Sequence, residues 1–233
     1  MVAARDTVVI PDRDDIDRRS DEALVKLNRG LYFGDFVASP IAIAVLTTVA
    51  LAHRDFEVAG LWALNLFAGL GAWTLVEYAV HRWVYHRVPF FEKLHDAHHA
   101  NPRALIGAPS FFSFGIVFVV FFTPLLIVGL IAASGFASGA LLGYIGYMLV
   151  HHLSHHMEPR SGTPLRRARI RHMAHHYQRT PGNYGVTTSF WDWAFSTKLE
   201  RPPRYPALDA AGRAERNVSA SDFSTPLSRG AGR

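Results

Sequence analysis

Long uncharged stretches are the feature that most constrains how this chain can fold. Phe36–Ala52 carries no charged side chain over 17 residues, and Val58–Val76 carries none over 19 residues. A bilayer core about 30 Å thick is crossed by roughly 20 apolar helical residues. Each stretch is therefore long enough to cross a membrane as a single helix.

A third apolar block is too long for one crossing. Asp, Glu, Lys and Arg are absent between Arg103 and Glu158, and Ala104–Val150 alone spans 47 residues. Two helices joined by a tight turn fit this length, and Ser134–Gly139 supplies the Gly and Ser residues that turns favour. The sequence thus predicts an all-α integral membrane protein with four transmembrane helices. These helices cover residues 36–53, 57–80, 109–132 and 137–153. A soluble bundle of buried apolar helices is the alternative.

Basic residues are distributed unevenly around the four predicted spans. Lys and Arg number 6 before the first span, 4 between the second and third, and 13 after the fourth, against 1 and none in the other two loops. Cytoplasmic segments carry such an excess, so both termini and residues 81–103 are expected in the cytoplasm. Basic flanks facing anionic lipid also explain the net charge of +5 without nucleic acid. The chain has no Cys, which excludes thiolate-ligated haem and iron–sulfur clusters.

Histidines are concentrated in four short groups on this predicted cytoplasmic side. Twelve of the thirteen lie between His81 and His176, in HRWVYH, HDAHH, HHLSHH and HMAHH. Spacings of three or four residues place two imidazoles on one helix face, and histidine is the commonest metal ligand in proteins. A histidine-rich tail would be polar and of low complexity, whereas these groups alternate with apolar segments. The pattern therefore predicts a helical cap that holds two metal ions, each with about five nitrogen ligands.

These motifs resemble the membrane fatty acid hydroxylase and sterol desaturase superfamily. The similarity runs from about Tyr78 to Thr197, and it is most specific in EYAVHRWVYH, HDAHH, HMAHHY, the Tyr147-x-x-x-His151-x-x-x-His155 pattern and NYGVTTSFWDWAFST at Asn183–Thr197. That last segment is most similar to the fatty acid 2-hydroxylase branch. The family ligands fall on His81, His86, His95, His98, His99, His151, His155, His172, His175 and His176. His152 and His156 are then expected beside the site or facing solvent.

The resemblance implies a non-haem di-iron monooxygenase that uses dioxygen to hydroxylate a lipid acyl chain, near its carboxyl end in the 2-hydroxylase branch. Imidazole also suits zinc, which purified material can contain in place of iron. Eukaryotic 2-hydroxylases often carry a fused haem-binding cytochrome domain, and the polar arm of residues 1–30 is too short to be one. Electrons are therefore expected from a separate protein, similar to cytochrome b5 or to a ferredoxin.

Several other residues are candidates for roles beside the metals. Glu77 lies one turn before His81 and is expected to accept its ring hydrogen, since an acid this deep in a span is costly unless it is paired or functional. Asp192, Tyr177, Asp96 and Tyr184 are further candidates for orienting ligands, substrate or oxygen. An apolar slot for a lipid chain is predicted to be lined by Phe111, Phe112, Phe114, Phe118, Phe121 and Phe122.

The sequence predicts three segments along the chain and leaves two alternative functions open. Residues 1–30 form a polar arm, residues 31–200 the hydroxylase-like membrane domain, and residues 201–233 a tail whose composition predicts disorder. A sterol, hopanoid or carotenoid hydroxylase or desaturase is an alternative within the same superfamily. A membrane metal-binding or transport protein is an alternative of another class, although transport favours ligands spread along a path through the spans.

Overall fold

The computed structural model describes residues 29–106, 110–178 and 180–199; within these, only the backbone is described for residues 110–113. This part of the chain is helical and contains no β-strand. The polar arm up to residue 28 and the tail from residue 201 lie outside the described residues. The helices are α1 (Arg29–Phe33), α2 (Asp35–Leu51), α3 (Phe56–Ala79), α4 (Pro89–Ala100), α5 (Ser110–Val117), α6 (Leu130–His156), α7 (Pro164–Tyr177) and α8 (Phe190–Ala194).

Two of these helices continue in another helical form. Helix α3 runs on as a π-helix over Val80–Tyr85. Helix α5 runs on as a π-helix over Phe118–Phe122 and ends with an α-helical turn, Thr123–Leu125. A π-helix pairs each carbonyl with the N–H five residues later and occurs mostly as short bulges, often at functional sites.

The bundle is organised around α6. Helices α3 and α6 pack side by side over much of their length, and α2 packs on a second face of α6. The apolar core lies between α2, α5 and α6 and is formed by Leu46, Val117, Ala137, Ala140 and Leu141. Because α6 touches most of the other helices, it positions the histidines at its own C-terminal end relative to the rest of the bundle.

The predicted turn at Ser134–Gly139 is wrong, because α6 runs through it without a break. The small residues there allow α3 to approach closely instead. A Cβ atom at Gly135 would collide with the carbonyl of Trp62, and one at Gly139 would collide with the carbonyl of Leu66. The chain turns earlier, before α6, where Gly129 adopts a φ of 133° that residues with a Cβ rarely reach.

In the part of the chain that the structure describes, three helical segments are long and apolar enough to cross a membrane: Arg29–Leu51, Phe56–Tyr85 and Leu130–His156. A fourth, Phe114–Leu125, is apolar but shorter. Large apolar side chains point outward from the bundle, among them Val45 at 60% exposure and Phe67 at 68%. A soluble bundle would leave these side chains in water at a cost of about 25 cal/mol per Å², so they favour a bilayer around the helices.

The short helices α4 and α7 meet the histidine-bearing ends of α3 and α6. Helix α4 begins with Pro89 at its first turn and ends at Ala100. Helix α7 begins after Thr163, whose side chain accepts a hydrogen bond from the N–H of Arg166 at 3.2 Å and caps the helix.

Candidate metal centre

Ten imidazoles form two groups of five where α3, α4, α6 and α7 meet. Within each group the potential ligand atoms all lie within 4.8 Å of one another. Site A consists of His81, His86, His95, His99 and His175. Site B consists of His98, His151, His155, His172 and His176. The structure thus brings together all ten histidines that the sequence singled out, in two groups of five.

The π-helical end of α3 explains how His81 and His86 reach the same site. In an α-helix, residues five positions apart point about 140° away from each other. The wider π-turn brings them to one face, and the two rings stack with centroids 5.4 Å apart and an angle of 21° between their planes. The five-residue spacing of HRWVYH was therefore the sequence signal for this π-helix.

The two H-x-x-H-H motifs each contribute to both sites, in opposite proportions. In α4 the i, i+4 pair His95 and His99 enters site A, and His98 enters site B. In α7 only His175 enters site A, and the i, i+4 pair of that helix enters site B. Neighbouring residues on a helix point about 100° apart, so each motif faces both sites at once. The two sites consequently share the helices that build them.

The tautomers of His81 and His175 are fixed by backbone carbonyls. His81 Nδ1 lies 2.6 Å from the carbonyl oxygen of Tyr184, and His175 Nδ1 lies 2.9 Å from that of Gly182. A carbonyl oxygen only accepts, so each Nδ1 carries the hydrogen and each Nε2 of a neutral ring carries a lone pair. These two Nε2 atoms lie 2.9 Å apart. Two lone pairs at this distance repel each other unless a cation lies between them.

The remaining nitrogen distances also match those of metal ligands. Five Nε2 pairs in site A are 2.9–3.2 Å apart, and three in site B are 2.8–3.1 Å apart. A metal–imidazole bond is about 2.0–2.1 Å long, so two such bonds at a right angle separate their nitrogens by about 3 Å. The residues at both sites therefore fit a bound metal ion.

Burial keeps these imidazoles neutral and able to coordinate. It lowers the pKa of His175 to about 3, although the hydrogen bond to Gly182 opposes the change. It also lowers the pKa of His98, His99 and His172 well below the usual value, and neighbouring histidines add to the effect. A metal binds the unprotonated imidazole, so these rings bind without first losing a proton at neutral pH.

Glu77 fixes the loop that supplies the two carbonyls, which we call the Gly182–Thr187 loop. One oxygen of its buried carboxylate accepts from the N–H groups of Val186 and Thr187, at 2.6 and 2.8 Å. The other accepts from the Thr187 hydroxyl at 2.5 Å. The expected hydrogen bond from His81 to Glu77 is wrong, because the His81 ring donates to Tyr184 instead. Glu77 thus bonds to the loop and not to His81.

Asp192 secures the same loop from α8. Its two carboxylate oxygens accept from the N–H groups of Tyr184 and Gly185, both at 2.8 Å, and one also accepts from the Thr197 hydroxyl. The side chain is fully buried. Two acids from different helices therefore hold four consecutive loop N–H groups, from Tyr184 to Thr187. The Tyr184 carbonyl, which orients His81, lies within this bonded segment.

The other candidate residues differ in their distance from the sites. The buried Tyr184 contacts His81, His86 and His175 with its ring. Tyr177 is only half-buried, and its ring centroid is 6.1 Å from that of His176. Asp96 faces the surface of α4. As expected, His152 and His156 stay outside both sites, stacked on each other with centroids 4.1 Å apart.

A cavity of about 110 Å³ lies beside both sites. Imidazoles of site A and site B line one part of it, and Phe91, Leu94, Ile106 and Met148 form apolar walls. Tyrosines complete the lining: Tyr32, Tyr85, Tyr144 and Tyr147. The predicted phenylalanine slot is wrong for the four described side chains, Phe114, Phe118, Phe121 and Phe122, which pack against the core of the bundle. The side chains of Phe111 and Phe112 lie outside the described residues.

Sequence reasoning missed the carbonyls of Gly182 and Tyr184 as functional groups. Every residue has a backbone carbonyl, so its type carries no signal for this role. The indirect signal was the segment Asn183–Thr197, which the resemblance singled out without assigning it a task. Its Asp192 and Thr187 take part in the hydrogen bonds that hold the loop.

Known proteins and a family model are similar in sequence to the part of the chain that carries the histidine sites. Residues 66–197 match the family model for fatty acid hydroxylase. The chain is 31% identical to the fatty acid 2-hydroxylase of Rattus norvegicus over 58% of its own length and 40% of the relative's. It is 34% identical to the ceramide very long chain fatty acid hydroxylase scs7 of Schizosaccharomyces pombe, over 56% of its own length and 41% of the relative's. The chain thus covers less than half of either relative.

A plant relative and a solved structure are covered more fully. The dihydroceramide fatty acyl 2-hydroxylase FAH2 of Arabidopsis thaliana is 29% identical over 68% of this chain and 69% of its own length. The structure described as full-length scs7p with only the hydroxylase domain visible superposes with a TM-score of 0.60 at 27% identity, over 74% of this chain and 69% of that one. The family match, the helical fold and the paired histidine sites agree: the chain belongs to the fatty acid hydroxylase family.

Proposed function

We propose that this chain is a membrane-bound, metal-dependent monooxygenase that hydroxylates lipid acyl chains near the carboxyl end. The observation that carries the proposal is the pair of five-imidazole sites beside a cavity with apolar walls. The names of the rat, fission-yeast and Arabidopsis relatives, which specify fatty acid, ceramide or acyl hydroxylation, support this substrate class.

Two iron ions are the metals that we assign to sites A and B. Bound iron with open coordination positions supplies dioxygen activation in non-haem oxygenases. The protein contributes ten neutral imidazoles, fixes two of them through the Gly182–Thr187 loop and buries the sites away from water. Zinc also suits imidazole ligands, so zinc in purified protein is compatible with iron as the functional metal.

The cavity lining suits a lipid whose reactive carbon lies close to its polar group. Phe91, Leu94 and Ile106 provide apolar contact for a hydrocarbon chain, and tyrosine hydroxyls offer hydrogen bonds to a carbonyl or hydroxyl oxygen. His81, His95, His98 and His151 line the same space. A chain bound with its carbonyl near the tyrosines would place the adjacent carbon beside the metals, which is the position that 2-hydroxylation modifies.

We place the site on the cytoplasmic side of the membrane, with both termini. Helices α2, α3 and α6 cross the bilayer, and α5 with its π-helical extension forms the fourth crossing. The excess of Lys and Arg before α2, between α3 and α5 and after α6 supports this orientation. A lipid can then enter the cavity from the bilayer without leaving its apolar surroundings.

The reaction also requires a source of electrons. Insertion of one atom of O₂ into a C–H bond consumes two electrons and two protons, and it releases the other oxygen atom as water. We assign the electrons to a separate donor protein, similar to cytochrome b5 or to a ferredoxin. Clustering of the ten imidazoles at a single junction, rather than along a path through the spans, supports this enzymatic function over metal transport.

The experiment is a mass-spectrometric comparison of total membrane lipids from cells that express the intact chain or the double variant His98→Ala, His175→Ala. The host must supply oxygen, iron and an electron donor. We expect acyl lipids with one added oxygen atom only with the intact chain and with the control His53→Ala, because His53 is exposed and far from the sites in sequence. Loss of two hydrogens would indicate a desaturase, and identical lipids in all strains would refute the proposal.

A further inference from the structure

The two sites differ in the hydrogen bonds that the Nδ1 atoms of their histidines make. In site A the Nδ1–H groups of His81 and His175 donate to the carbonyls of Tyr184 and Gly182. These hydrogen bonds select the tautomer whose Nε2 lone pair faces the site, and they fix the orientation of each ring. Glu77 and Asp192 hold the loop that carries the two carbonyls.

In site B two of the five histidines lack a partner of this kind. The Nδ1 atoms of His172 and His176 are buried and have no hydrogen-bond partner among the described residues. Both atoms are shielded from the surface. No hydrogen bond among the described residues therefore selects the tautomer that coordination requires in these two histidines.

Burial and ligand number do not distinguish the sites. Each has five imidazoles, and each includes side chains that are almost completely buried, such as His81 in site A and His172 in site B. The difference therefore lies in the hydrogen bonds of the Nδ1 atoms, which face away from the site. Partners of this kind typically change metal affinity by about 10- to 100-fold when they are removed.

We propose that the two sites hold their metal ions unequally: site A retains its ion, and site B exchanges its ion first. The inference rests on the proposed function in that it requires both sites to bind metal. Loading is then ordered, with site A filled before site B when metal is scarce. A protein molecule that carries a single metal ion then carries it in site A, and its site B is empty.

The test uses the purified full-length chain in lipid nanodiscs, loaded with zinc so that no redox change complicates the count. Increasing concentrations of a chelator are added at neutral pH, and the zinc that remains on the protein is measured by inductively coupled plasma mass spectrometry. We expect two steps, with the first ion removed at a chelator concentration at least about tenfold below that for the second. Removal of both ions in one step would overturn the inference.

Two matched variants assign the steps to the sites. His176 and His99 are half-buried and each is the last histidine of an H-x-x-H-H motif, but His176 belongs to site B and His99 to site A. His176→Ala should abolish the step at low chelator concentration and leave the other unchanged. His99→Ala should abolish or weaken the step at high concentration. The reverse assignment would overturn the inference while leaving the metal sites in place.

A third variant tests the cause of the difference. Asp192→Asn places an amide where a carboxylate now accepts from loop N–H groups. The site A step, at high chelator concentration, should therefore move to a lower concentration, closer to the site B step. Asp55→Asn, at the start of α3 and away from the loop, is the control and should leave both steps in place. An unchanged titration for Asp192→Asn would contradict the role of the loop. A wild-type chain that binds no zinc would refute both this inference and the metal sites of the proposed function.

Discussion

His81 and His175 lie with their Nε2 atoms 2.9 Å apart, while the Nδ1–H of each ring is donated to a backbone carbonyl. The two residues are 94 positions apart in the chain and come from the π-helical end of α3 and from α7. Neither ring has a hydrogen left to place between the two nitrogens unless it becomes charged, which burial disfavours. A metal ion bound by both rings would account for this contact.

Replacement of His175 by Ala should therefore empty site A. We expect bound metal to fall from about two ions per chain to about one, and hydroxylation to be lost, because a ligand and its fixed orientation are removed together. Metal analysis of purified protein and lipid analysis of cells check the two effects. His53→Ala should change neither, and normal metal content in His175→Ala would remove His175 from the ligand set.

Replacement of Glu77 by Ala should destabilise the Gly182–Thr187 loop. The change leaves the N–H groups of Val186 and Thr187 without their acceptor, and an unsatisfied buried donor costs about 1–3 kcal/mol. Glu77→Gln keeps an acceptor oxygen and should cost less. Thermal unfolding of the metal-loaded protein in detergent compares the two variants. Equal midpoints for Glu77→Ala and the wild type would show that the loop does not depend on this carboxylate.

Substitution of Gly139 by Ala should weaken the contact between α3 and α6. The added methyl group would collide with the carbonyl of Leu66, and such overpacking costs about 1–3 kcal/mol. Gly146 lies in the same helix, and a methyl group added there would meet no neighbouring helix or side chain within 4 Å, which makes it the matched control. Gly146→Ala should be neutral or slightly stabilising, because Ala favours helix over Gly by up to about 1 kcal/mol. Equal stability of the two variants would contradict the close packing.

Asp35 and Tyr144 should show strong energetic coupling. The Tyr144 hydroxyl donates to the buried Asp35 carboxylate at 2.5 Å, between α2 and α6. Removal of either partner alone leaves a buried polar group less well satisfied. A double-mutant cycle with Asp35→Asn and Tyr144→Phe, followed by unfolding in detergent, should give a coupling free energy of about 0.5–3 kcal/mol. Additive effects would show that the pair does not stabilise the bundle.

The sequence was most informative where side-chain chemistry and spacing determine the outcome. The ten candidate ligands could be predicted because each is a histidine in a motif whose spacing defines a helix face, and all ten lie in the two sites. Apolar length likewise predicted α2 and α3. Which histidine belongs to which site was harder to predict, because the division depends on the π-helix after α3 and on how α4 and α7 face both sites.

Predictions failed where one residue type serves two physical purposes. Gly and Ser in Ser134–Gly139 indicated a turn, but small residues also permit close helix packing, and only the position of α3 decides between the two. Glu77 was expected to pair with the nearest histidine in sequence, whereas its partners are residues 109 and 110 positions away. Contacts over such distances depend on tertiary structure, which no local pattern encodes.

X-ray absorption spectroscopy of the metal-loaded chain, combined with a metal count, tests the central claim most directly. We expect about two ions per chain, each surrounded by about five imidazole nitrogens at about 2.1 Å. The double variant His81→Ala, His175→Ala should retain only the ion of site B. At most one ion in the intact chain, or a coordination shell without imidazole, would contradict the assignment of sites A and B as a pair of metal centres.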